Sequence, residues 1–130
     1  MPLIKVSIRK GRSKEEKTAL MDAIHGALVE SFMIPDRDRV QRLLEFEDAE
    51  FEIPNDRTNF FTIIEITILP GRSLNAKRNL YQSINRDLKN IGYTNPNDIV
   101  IVLKEPQLEN WGIRGGIPAN EVNIGFKLDV

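Results

Sequence analysis

Pro2 is the residue whose position promises the most chemistry. It follows Met1, and a residue this small usually lets the initiator methionine be trimmed, which would leave Pro2 as a chain terminus with a free secondary amine. A general base works best with a pKa near the working pH. Free α-amino groups titrate at about 7.7–8.0, closer to neutrality than any lysine. Burial and nearby cations lower that value further, because both disfavour the charged form. The competing reading is that Pro2 merely begins a strand, a place where proline is tolerated. Other chemistries are scarce. Cysteine is absent and His25 is the single histidine. That removes thiol nucleophiles and thiolate metal sites and leaves little for a zinc site or a Ser-His-Asp triad. His25 itself reads as structural or solvated. An enzyme of this composition would use carboxylates, arginines, hydroxyls or the terminus.

Other patterns exclude whole classes of function. Lys+Arg 18 against Asp+Glu 19 gives a formal charge of -1, so nucleic acid and anionic membranes are not expected partners. No apolar run approaches the roughly 20 residues of a membrane span, and residues 1–15 are too charged for a signal peptide. A cytoplasmic location is expected. The glycines at 112–116 lack the spacing and strand-to-helix setting of a nucleotide fingerprint. The acidic run Glu45–Glu52 reads as a solvated connector, so neither cofactor nor metal is expected.

The 130 residues suit a single domain over 1–130, but one built by duplication. Gly11-Arg12-Ser13 recurs as Gly71-Arg72-Ser73, and at this offset of sixty, 13 of the 44 positions from Pro2 to Glu45 are identical. Chance would supply roughly three, so the repeat is real. The units cover about 2–46 and 62–105, leaving 106–130 as a C-terminal extension. One difference between them is chemical. Pro2 aligns with Thr62, which lies inside the chain and can never offer a terminal amine.

Each unit must place its residues with a strand, a helix and a second strand. Ile4, Val6 and Ile8 alternate with Lys5 and Ser7, and Ile64, Ile66 and Ile68 repeat the phase, the period-2 mark of a half-buried strand. Ser13 with Glu16 predicts a capping box, and Ser73 predicts a simpler cap with Ala76 in place of the glutamate. Leu20, Ile24, Ala27, Leu28 and Phe32 form one helical stripe, and Leu80, Ile84, Leu88 and Ile91 the other. Pro35 and Gly92 punctuate the helix ends. Second strands are predicted at Val40–Phe46 and Ile99–Leu103. Crossovers of this length imply parallel pairing within each unit. The expected fold is therefore α/β (α+β): two tandem β-α-β units, a four-stranded mixed sheet with two helices on one face, and a C-terminal β extension ending in a strand-like run, Val122–Leu128. Residues 99–103 are apolar on both faces, so the uncovered face should meet another copy of the chain.

The Met-Pro-Leu-Ile-Lys start, the Gly-Arg-Ser turn opening each helix, the duplication, and Asn110-Trp111-Gly112-Ile113-Arg114-Gly115-Gly116 together resemble the tautomerase superfamily. One unit resembles 4-oxalocrotonate tautomerase. The fused length, the segment Ile34-Pro35-Asp36-Arg37-Asp38-Arg39 and Glu109-Asn110-Trp111 resemble the malonate semialdehyde decarboxylase branch more closely. The resemblance implies a homotrimer and a cofactor-independent enzyme acting on a small enol or carboxylate. It makes Pro2 the catalytic amine, Arg72 a holder of the substrate carboxylate, Asp38 a polarising or water-activating carboxylate, and Trp111 an aromatic pocket wall. Arg39 and Arg114 are further candidates for substrate binding. A guanidinium suits a carboxylate because it presents a fork of donors. Asp38 has a twin in Asp98 and Arg72 a twin in Arg12, so both positions also admit an architectural reading. The chain departs from the decarboxylase branch in carrying one arginine, Arg72, at its turn, and Trp111-Gly112-Ile113-Arg114 where that branch has Trp-Ser-Phe-Gly. The departures weigh against decarboxylation and leave a tautomerase pocket, with the decarboxylase or hydratase and a non-catalytic binding protein as alternatives.

Overall fold

The computed structural model describes residues 2–130; the expected removal of Met1 concerns a residue outside that range. Strand β1 (Leu3–Arg9) leads into helix α1 (Lys14–Phe32) and strand β2 (Val40–Phe46). The second unit repeats this order with β3 (Thr62–Thr67), α2 (Leu74–Asn90) and β4 (Ile99–Lys104). The sheet runs β2-β1-β3-β4. Pairing is parallel within each unit and antiparallel where β1 meets β3. The expected mixed sheet is thus observed. No helix among the described residues is long and apolar enough to cross a membrane.

Both helices start as their sequences require. Ser13 Oγ accepts from the Glu16 amide at 3.1 Å while the Glu16 carboxylate accepts from the Ser13 amide at 3.2 Å. The Ser13 amide's bond favours the ionised carboxylate and holds Glu16 below its ordinary pKa. Ser73 Oγ accepts from the Ala76 amide at 3.1 Å. Helix α1 ends in a left-handed residue, Met33, with φ 57°.

The predicted stripes meet the predicted strand faces. Ile4, Val6 and Ile8 of β1, Ile64 and Ile66 of β3, and Ile68 just after it are at most 2% exposed, packed against Leu20, Ile24, Leu28 and Phe32 of α1 and Leu80, Ile84 and Leu88 of α2. Burial of each such side chain contributes roughly 1.5–3 kcal/mol, so this layer dominates the stabilisation. The repeat also duplicates an ion pair: Lys17 reaches Glu45 at 3.0 Å, and Lys77 reaches Glu105 at 2.8 Å. The opposite sheet face leaves Val100 39% and Val102 40% exposed.

The extension differs from expectation at its end. Residues 112–118 form a small antiparallel pair, β5 (Gly112–Ile113) and β6 (Ile117–Pro118). The strand-like run Val122–Leu128 forms no strand. Its alternation does describe burial, with Ile124, Phe126 and Leu128 turned inward. Yet Gly125 sits at φ 88° and interrupts the extended path. The tail is tied instead by the Ser73 amide donating to Val130 O at 2.9 Å. Leu128 lies so close to Gly71 that a Cβ there would meet it at 3.2 Å.

Candidate active site

One end of the sheet carries an open cavity of about 480 Å³. The α1–β2 loop lines it with Pro35, Arg37 and Asp38, the end of β3 with Leu69, and the β5–β6 hairpin with Ile113 and Arg114. Ile124 and Phe126 of the tail complete an apolar wall. Two cations and one carboxylate therefore face a space otherwise lined by hydrocarbon.

Strand register brings Pro2 to this end. Leu3 lies opposite Val40 on one side and Thr67 on the other, so Pro2, one residue earlier, falls between Arg39 and Ile68. It is buried. Asp38, the residue before Arg39, and Leu69, the residue after Ile68, line the cavity.

The other expected site residues divide. Asp38 is half-buried on the cavity, its amide donating to Pro35 O at 2.9 Å. Arg114 also lines it, in a left-handed conformation (φ 50°), with Nη1 donating to Asn123 O at 2.6 Å. Trp111 is buried beneath the wall, packed with Leu69 and against Ile113 and Ile124, and its indole N–H donates to Pro106 O at 3.1 Å. It shapes the apolar wall from behind. Arg39 turns to the helix layer, where Nη2 donates to Asp22 Oδ1 at 2.6 Å.

Arg72 lies behind the cavity wall. The residue is 7% exposed, and its guanidinium donates through Nη1 to Leu69 O at 2.9 Å and sits with Cζ 5.1 Å from the centre of the Phe32 ring. Its Nε has no hydrogen-bond partner among the described residues. Burial pushes its pKa below the ordinary arginine value, against the opposing charge of Glu105.

Arg37 was not singled out from the sequence, although it lines the cavity beside Asp38. The signal lay in the Asp-Arg-Asp-Arg run. Its two arginines are separated by one residue and take different surroundings: Arg37 keeps to the cavity while Arg39, one step from β2, pairs with α1. Among the described residues no group of three His, Asp or Glu side chains is arranged as a metal site.

Two family models described as tautomerase enzyme match the chain, one over residues 38–114 and the other over residues 2–54. Probable tautomerase YusQ of Bacillus subtilis (strain 168) is 27% identical over 121 residues, which span 89% of this chain and 95% of that relative. The structure of a malonate semialdehyde decarboxylase inhibited by 3-bromopropiolate superposes with a TM-score of 0.80 at 28% identity, covering 94% of this chain and 98% of that one. A fused 4-OT, a wild-type symmetric trimer, superposes with a TM-score of 0.78 at 23% identity, covering 91% and 96%.

Proposed function

The chain belongs to the tautomerase family, and on that premise we propose that it moves a proton between oxygen and carbon of a small enol or 2-oxo acid, with Pro2 as the base. The observation that carries the reading is the convergence at one sheet end of Pro2, Asp38 and a cavity bearing Arg37 and Arg114.

With Met1 removed, the Pro2 nitrogen is a secondary amine at the start of β1. Its buried place disfavours the ammonium form and so favours the neutral base. It takes the enol O–H proton as the carbonyl forms, and the same proton is returned to the adjacent carbon. Nothing is oxidised or reduced. Arg37 and Arg114 hold the substrate carboxylate, and Asp38 orients the enol oxygen or a water. Arg72 supplies positive charge from behind Leu69, in place of the direct carboxylate contact expected from its turn. Inhibition of a related decarboxylase by a three-carbon acid supports a small carboxylate substrate. The exposed Val100 and Val102 face supports assembly with further copies, and the trimeric relative supports three.

Ketonisation of phenylenolpyruvate tests the reading. The wild-type chain should accelerate it, and Pro2→Ala should lower kcat/KM by about 10²-fold or more, the usual share of a positioned base. An unchanged rate in that variant contradicts the mechanism. The likeness to malonate semialdehyde decarboxylase supports a second reading, decarboxylation or hydration of a three-carbon acid with Pro2 protonated. The pH–rate profile separates the two. A base gains activity as pH rises through the amine pKa, and an ammonium acid loses it.

A further inference from the structure

The α1–β2 loop contributes Pro35, Arg37 and Asp38 to the cavity and has no regular structure of its own. Ile34, 4% exposed, fixes its start in the core. Two local bonds shape it, from the Asp38 amide to Pro35 O at 2.9 Å and from the Arg39 amide to Arg37 O at 3.0 Å. A bond from the helix layer reaches its middle. His25 Nε2 lies 2.8 Å from the Asp36 carbonyl oxygen and 3.3 Å from Asp36 Oδ1. The carbonyl can only accept, so Nε2 carries the hydrogen and donates. The ring is buried at 6% exposure while the Asp36 side chain is 94% exposed, so the inner contact is the one to the main chain. That carbonyl belongs to the planar peptide joining Asp36 to Arg37. Fixing it fixes the direction in which Arg37 and Asp38 leave the loop.

The second unit has no such arrangement. The position equivalent to His25 is Asn85, exposed on α2. The matching loop is held from within and by the connector, with Asn95 Oδ1 accepting from the Asn97 amide at 3.0 Å and Asp98 accepting from the Thr58 amide at 2.9 Å. The imidazole is present where the loop borders the cavity and absent where it does not.

We propose that His25 is a positioning residue, holding through the Asp36 carbonyl the loop that presents Arg37 and Asp38 to the substrate. This inference rests on the reading of the cavity as the reaction site.

Three variants of the full chain test it. His25→Gln keeps an amide donor at about the reach of Nε2, His25→Asn falls short of it, and Asp36→Ala removes the carboxylate but keeps the carbonyl. In His25→Asn the Asp38 and Arg39 amides should exchange hydrogen faster than in wild type while core amides do not. Its kcat/KM on phenylenolpyruvate should fall about tenfold or more, as small misplacements of reacting groups do. The loss should show in KM as well as kcat, because Arg37 and Asp38 both shift. His25→Gln should recover most of the wild-type value, and Asp36→Ala should retain it. The proposal is overturned by a folded His25→Asn with unchanged kcat/KM, or by His25→Gln as impaired as His25→Asn. A loss confined to the active fraction with KM unmoved, or an Asp36→Ala as damaged as His25→Asn, also overturns it. Should His25→Asn not fold, His25→Leu, which fills the ring's place but donates nothing, takes its part with the same expected loss and the same overturning result. If Pro2→Ala is inactive while His25→Asn is fully active, only the positioning role fails. If the wild-type chain does not ketonise the probe at all, the site reading itself fails.

Discussion

The two ends of the duplicated sheet carry equivalent residues in different surroundings. At the second unit's end, Thr62, Arg12 and Asp98 occupy the positions of Pro2, Arg72 and Asp38. There they are consumed internally. Arg12 Nη1 donates to Tyr93 Oη at 3.1 Å, Tyr93 Oη lies 2.7 Å from Thr62 Oγ1, and Thr62 donates on to Phe60 O at 2.7 Å. The Arg12 guanidinium also stacks 4.1 Å from the centre of the Phe60 ring. Asp98 is 1% exposed and accepts from both the amide and the hydroxyl of Thr58. The connector between the units fills that end. At the first unit's end the extension and tail form walls but leave a cavity, with Asp38, Arg37 and Arg114 facing it. Duplication supplied two scaffolds; one end became a packed joint and the other a walled cavity.

The contrast is sharpest at Pro2 and Thr62. The catalytic loss expected of Pro2→Ala should have no counterpart in Thr62→Ala, whose kcat/KM should stay near wild type. Thr62→Ala should instead cost about 1 kcal/mol of stability from its buried hydroxyl bonds, read by denaturant unfolding. Equal kinetic losses would break the distinction between the two ends. The aspartates should separate in the same way. Asp38→Asn should lower kcat/KM about tenfold or more if it orients the reacting oxygen. Asp98→Asn should lower stability by about 1–3 kcal/mol, because a buried hydrogen-bonded group is disrupted, and leave the folded fraction active.

Smaller effects belong to the arginines. Arg37→Ala and Arg114→Ala should each raise KM for a carboxylate probe several-fold, since both side chains are exposed and an exposed ion pair contributes only about 0.2–1 kcal/mol. Arg12→Ala should leave KM unchanged and lower the unfolding midpoint. The helix caps give the smallest signal. Glu16 has a folded pKa below its ordinary value, so its stabilisation is complete above that value and fades as pH falls through the folded pKa. The melting-temperature loss in Glu16→Ala should therefore shrink in acid, whereas α2, with Ala76 at this position, has no such dependence.

The fold was legible because its signals are local and repeated. Periodicity placed β1, β3 and both helices, and Ser13, Glu16 and Ser73 marked the helix starts. The antiparallel join of β1 to β3 makes the sheet mixed; two parallel units can meet edge to edge in either sense, so neither unit's own pattern fixes it. The tail was less legible. Alternation from Val122 to Leu128 reports which side chains turn inward, and it does so whether or not a neighbouring strand completes a ladder. The site was half legible. Asp38 and Arg114 stand on the cavity as their motif positions suggested. Arg72 follows its turn into the layer behind Leu69, drawn there by a backbone carbonyl and the Phe32 ring, interactions that sequence spacing does not reveal. Choosing Arg37 over Arg39 depends on the Asp22 carboxylate across the helix layer, a partner seventeen residues away.

Intact-mass analysis of the natural protein, made on a preparation that ketonises phenylenolpyruvate, tests the central claim most directly. If Pro2 is the base, the active chain begins at Pro2 and is lighter than the encoded sequence by one methionyl residue. An active preparation in which every chain retains Met1 would leave Pro2 an amide without a basic nitrogen and would contradict the account.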